Sequence, residues 1–122
     1  MIETTPTRLE ASAHADALFA IDPAPTAAVC YNDAVALGLM LGLTRLGRHP
    51  GVDFAVTGFD NIPEAAVGVP PLTTLDADPR ARGRQVAELI LQRAATPSLP
   101  RRSVIVPVRL TERESTPHAL PA

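Results

Sequence analysis

The sequence predicts an α/β fold in which a parallel sheet is flanked by helices, one part of a doubly wound lobe. Three observations carry this. Two short apolar runs, residues 26–31 and 52–57, are separated by a single helical stretch, and polar pairs follow them, Asn32-Asp33 and Asp60-Asn61. From Ala27 to Thr57 the unit has the length of a β-α-β crossover, about 30 residues. A well-formed amphipathic stretch, residues 80–95, supplies a further helix.

Residues 8–20 read as the first helix, with Thr7 as N-cap and Glu10 placed for a capping box. Leu18 and Phe19 form its apolar end, and Asp22-Pro23-Ala24-Pro25 stops it. Residues 26–31 form a strand, and Asn32-Asp33 caps a helix running to about Leu46. Val35, Leu39, Leu43 and Leu46 recur at helical spacing, and Gly47 suits the C-terminal cap. A turn at 48–51 leads into the strand 52–57. Residues 62–69 read as a short helix with Pro63 in its first turn, ended by Pro70-Pro71. Residues 72–75 form a third strand. Pro79 opens the helix 80–95, whose Val86, Leu89, Ile90 and Ala94 share a face while Arg82, Glu88, Gln92 and Arg93 lie elsewhere. After a loop at 96–100, residues 103–110 read as a last strand, and the tail from Thr116 is proline-rich and expected to be loose.

The composition narrows the function. At 46% hydrophobic the 122 residues can build a core, and at 3% aromatic that core must come from Ala, Val, Leu and Ile. A net charge of -2 offers no electrostatic footprint for nucleic acid. All 11 basic side chains are arginine, the usage of a GC-rich coding sequence. The missing lysine excludes a P-loop and a Schiff-base enzyme. It also counts against a phosphoacceptor site built on the two acids, which needs a lysine cation. Cys30 lies in an apolar run and reads as a buried, inert thiol. No apolar stretch approaches a membrane span, about 18–20 residues, and Met1 to Pro6 lacks the regions of a signal peptide. A cytoplasmic protein without membrane partners is therefore expected.

His14, His49 and His118 show no metal-ligand spacing and read as solvated. No serine sits in a nucleophile elbow, and no glycine fingerprint is present. Neither an enzyme nor a cofactor or metal site is expected. Gly38 and Gly42 form a small-xxx-small pair that implies close packing. What remains is the pair Asn32 and Asp60. A right-handed crossover brings both strand ends to one edge of the sheet, where ligands of open α/β sheets bind. An amide and a carboxylate there suit a polyol such as a sugar, or the polar edge of a nucleoside. Helix capping is the competing explanation for Asn32-Asp33.

Three blocks in order, Pro25-Thr26-Ala27 with Asn32-Asp33 and Ala36-Leu37-Gly38, then residues 56–61 with Pro70-Pro71-Leu72-Thr73-Thr74, then Arg113-Glu114-Ser115-Thr116, resemble the C-terminal part of the LacI/GalR family of bacterial transcription regulators. The resemblance implies a periplasmic-binding-protein-like (type I) effector domain with the ligand between two lobes. It implies effector contacts for Asn32 and Asp60, with Thr7 as the nearest match to a third, and a homodimer contact through Leu37 and Val67. The effector is expected to be a sugar or nucleobase-like molecule, and DNA is expected to be reached only through a helix-turn-helix that this sequence lacks. Most of the first lobe is also expected to be absent, so the helix 80–95 has lost the sheet it would cover and should fold back, meet a second copy or be mobile. A periplasmic sugar-binding protein of an ABC transporter shares the fold and is the alternative.

Overall fold

A computed structural model of the chain describes residues 1–116. The elements run α1 (Arg8–Ala13), a 3-10 segment (Asp16–Ala20), β1 (Ala27–Val29), α2 (Asp33–Arg45), β2 (Ala55–Phe59), α3 (Pro63–Val67), β3 (Thr73–Asp76), α4 (Pro79–Ala95) and β4 (Arg109–Thr111). One four-stranded sheet has the order β1-β2-β3-β4. β1, β2 and β3 are parallel, with Val29 opposite Thr57 and Phe59 opposite Leu75. β4 is antiparallel to β3, so the sheet is mixed rather than wholly parallel.

Local chemistry accounts for most boundaries. Thr7 caps α1 by accepting the Glu10 N–H at 3.3 Å, but its own N–H donates to Thr5 O at 2.7 Å, so only half of the capping box forms. The helix expected over 8–20 breaks after Ala13, where His14 closes the turn and its ring nitrogen reaches Glu10 O, and resumes as the 3-10 segment. Asn32 caps α2 through the Val35 N–H at 2.9 Å. At its other end Arg48 N–H returns to Leu43 O and Gly47 N–H to Thr44 O, with Gly47 at φ 72°. These two bonds are the Schellman arrangement.

The strand expected over 52–57 starts later. Asp53 accepts the His49 N–H at 2.8 Å and meets its ring at 3.0 Å, which closes a turn around Val52 and Asp53. β2 therefore spans Ala55–Phe59. The short helix lacks the expected ends because Ile62 is its cap and Gly68 is extended. Of the strand expected over 103–110, only Arg109 and Leu110 pair, and the pairing continues to Thr111, since β3 offers only Thr74 to Asp76 as partners. Thr116 is tied rather than loose, its hydroxyl lying 2.8 Å from that of Thr73. The rest of the expected tail, with His118, lies outside the described residues.

The core lies between α2 and the sheet. Leu39, Met40, Leu43, Val56, Ala65 and Leu72 are buried there, and α1 covers α2 from the other side together with Ala15, which follows the helix. Phe54 is the largest wholly buried side chain, so the core is not purely aliphatic. The Phe19 ring meets Phe54 edge-on at 5.9 Å and carries Arg48 on its face at 4.9 Å. A Cβ on Gly38 would collide with the Arg8 backbone, and one on Gly42 with Ser12 O and the Ala15 side chain. The small-xxx-small pair is thus the seat of α1. The α4 helix buries none of its residues, and Val86 and Ile90 stay more than half exposed. It has not folded back onto the sheet.

Candidate functional site

The three parallel strands end at one edge. Asn32 follows β1, Asp60 and Asn61 follow β2, and Asp76 closes β3. The pairing thus brings Asn32 and Asp60 to the same rim, as the crossover argument requires. Asp60 is half-buried at φ 112° and Asn61 at φ 51°, both in the region that favours glycine. The Asp60 N–H donates to Leu75 O at 2.9 Å, while its carboxylate makes no hydrogen bond among the described residues. The Asn32 Oδ1 is used by the cap, which leaves its NH2 group as a donor.

Asp33 is not part of the rim. It is fully buried, and its carboxylate accepts the Thr74 hydroxyl at 2.6 Å and the Ile62 N–H at 2.9 Å. A Cβ on Gly58 would run into this carboxylate, so the glycine of β2 makes the space it occupies. Burial raises the Asp33 carboxyl above the usual range; the two hydrogen bonds pull it down, and the Asp60 charge adds to the rise. Burial also pushes the Cys30 thiol up to about 11, with Asp33 contributing. That thiol is not a nucleophile.

Beside Asp60, Asn61 donates from Nδ2 to Asp76 at 3.2 Å and accepts from Arg113 Nη2 at 2.8 Å. Asp76 lies below the ordinary carboxylate range, held first by the Asp78 N–H and then by Asn61 and Arg109. Sequence reasoning treated Asn61 and Arg113 only as parts of motifs. Their pairing spans 52 positions, which no local pattern signals.

Thr7 sits at the start of α1, its hydroxyl oxygen engaged by the Glu10 N–H. Leu37 is half-buried beside Gly68, and Val67 on α3 is 77% exposed. Tyr31, 81% exposed at the end of β1, is a ring on the same rim that the sequence reading did not single out. A concavity of about 780 Å³ is lined mainly by apolar groups of the N-terminal segment, α1 and β1, and reaches Tyr31. Neither Asn32 nor Asp60 lines it.

The pattern of the periplasmic binding protein-like domain matches residues 2–116. The chain belongs to that family. Within it, the similar proteins include transcription regulators of the LacI type. It is 38% identical over 101 residues to the HTH-type transcriptional repressor PurR of Vibrio cholerae, covering 83% of this chain and 30% of the repressor. It superposes with a TM-score of 0.88 and 29% identity on a LacI family transcriptional regulator from Enterococcus faecalis with bound ribose, covering 95% of this chain and 43% of that one. A lac repressor dimer bound to operator and an anti-inducer gives a TM-score of 0.81 at 28% identity, over 91% and 38%. The chain thus spans less than a third of the length of the PurR repressor. These relatives are regulators, not enzymes, and they favour the regulator over the transport protein that shares the fold. Among the described residues, no helix is long and apolar enough to cross a membrane.

Proposed function

We propose that this chain carries one wall of an effector cleft and senses a small, hydroxyl-rich or nucleobase-like ligand for a transcription regulator. The observation that carries the reading is the Asp60 carboxylate. It has no hydrogen-bond partner among the described residues and is held at positive φ on the strand edge it shares with Asn32. Conformations of this kind persist only where the surroundings over-determine them, and they cluster at ligand sites. Asp60 accepts hydroxyl or N–H protons, and the NH2 group of Asn32 donates. The cap leaves the Thr7 hydroxyl proton free to donate as a third contact.

Bound ribose in the Enterococcus faecalis regulator supports the sugar class. In the whole protein a ligand spanning two lobes would favour one lobe arrangement and so shift a pre-existing equilibrium. That equilibrium would be read as DNA affinity, through a dimer contact including Leu37 and Val67.

Calorimetry of this chain with a panel of sugars and nucleobases tests the reading. Weak binding that disappears in Asp60→Asn is expected, because one wall supplies only part of the contacts. Sub-micromolar binding would overturn the one-wall argument, and binding indifferent to Asp60 would overturn the site.

A further inference from the structure

The pair Asp60-Asn61 has a brace beyond anything a ligand contact requires. Two consecutive non-glycine residues at positive φ relax unless their neighbours hold them. Asn61 is where they are held. Its Oδ1 accepts Arg113 Nη2 at 2.8 Å, its Nδ2 donates to Asp76 Oδ2 at 3.2 Å, and its N–H reaches the Thr74 hydroxyl at 3.4 Å. The second arm of the guanidinium, Nη1, donates to Leu72 O at 2.7 Å. The Arg113 backbone N–H is itself anchored on the Thr73 hydroxyl at 2.8 Å. One planar fork thus joins the end of β2 to the start of β3, a geometry that an ammonium on a flexible stem cannot reproduce.

We propose that Arg113 and Asn61 are positioning residues: their fork-and-amide pair fixes the left-handed turn at Asp60 and so sets where its carboxylate points at the rim. The proposal rests on the effector reading of Asp60. It adds that ligand selectivity depends on two residues that do not touch the ligand. It also ties the rim to β4, because Arg109 reaches Asp76, the other partner of Asn61, at 3.5 Å.

The test is amide exchange and titration followed by NMR on this chain, with D-ribose, cellobiose and adenine as probes. In Asn61→Gly the backbone keeps its φ without strain while the clamp is lost, so the fold survives even if Arg113→Ala unfolds. Loss of a charge-assisted hydrogen bond is expected to speed exchange at the Asp60 amide by about tenfold, and to weaken the probe-induced shift at Asp60 about as much. The Cys30 amide, bonded to Thr57 O at 2.9 Å, serves as the internal control and should not change. Arg113→Lys should fold but not restore Asp60 protection; full restoration would mean that charge alone suffices and would overturn the fork. Unchanged exchange and probe response at Asp60 in Asn61→Gly would overturn the positioning proposal alone. No response of the unsubstituted chain to any probe would overturn the effector reading, and this proposal with it.

Discussion

Asp33 is the residue on which the interior polar balance of this chain turns. Its carboxylate is wholly buried and bridges β3 and the start of α3 through Thr74 and Ile62. Asp33→Ala leaves a hydroxyl and a backbone N–H unpaired and should cost roughly 2–4 kcal/mol in urea denaturation. Because burial raises its pKa in the fold, the folded state holds the proton more tightly than the unfolded chain does. The stability it contributes is therefore fully present below the unfolded value, about 3.9, and is lost as pH rises through the folded value. The stability of the natural chain relative to Asp33→Asn should accordingly improve as pH falls from neutral and level off in acid. A difference that shrinks on acidification would show the opposite sign. At the rim, Asp60→Gly should relieve the positive φ and stabilise the chain by about 1 kcal/mol, while removing the proposed ligand contact. Thermal melts and calorimetry read the two effects separately.

At the scale of elements, two contacts set the layers. The α1 helix rests on α2 where Gly38 and Gly42 leave the backbone bare. Gly42→Ala should cost on the order of 2 kcal/mol by overpacking, in spite of the higher helix propensity of alanine. Equilibrium denaturation measures it, and a neutral result would mean that α1 can shift. The second contact is the staple between the C-terminal segment and β3. Ser115 accepts the Thr73 N–H at 2.8 Å and donates to Val56 O at 2.7 Å, and its own backbone bonds Val56 and Pro71. Ser115→Ala should cost about 2 kcal/mol, since it strands a buried donor. Pro70 to Thr74 and Arg113 to Thr116 looked like two separate signatures in the sequence. Folded, they are one hydrogen-bonded unit, and Thr73 is its centre.

For the whole molecule, the apolar surface is distributed unevenly. The α2–sheet core is closed, whereas the face of α4 with Val86, Leu89 and Ile90 borders only a shallow groove shared with Arg102. In this chain Ile90→Glu should change stability by less than about 0.5 kcal/mol, against several times that for Val56→Ala. A large loss at Ile90 would show that α4 is covered in solution. The proposed dimer face on α2 and α3 is tested by Leu37→Asp together with Val67→Asp, the second being exposed enough to spare the core. Light scattering should report a monomer if this face carries the contact.

The sequence by itself determined what local chemistry controls. The caps at Thr7 and Asn32, the end of α2 at Gly47 and the parallel strand ends that carry Asn32 and Asp60 all follow from side chains within a few positions of one another. Elsewhere the boundaries differ from the apolar pattern, as at Val52 and Asp53, whose turn is closed by His49. Tertiary structure alone decided the rest. Asp33, one residue from the cap, serves the interior because Thr74 and Ile62 meet it from 41 and 29 positions away. Asn61 is held because Arg113 arrives from the segment after β4, and the strand expected over 103–110 is short because β3 offers it only three partners. Periodicity and capping act over one or two turns of chain. The direction of a carboxylate at a rim depends on groups that only folding brings together.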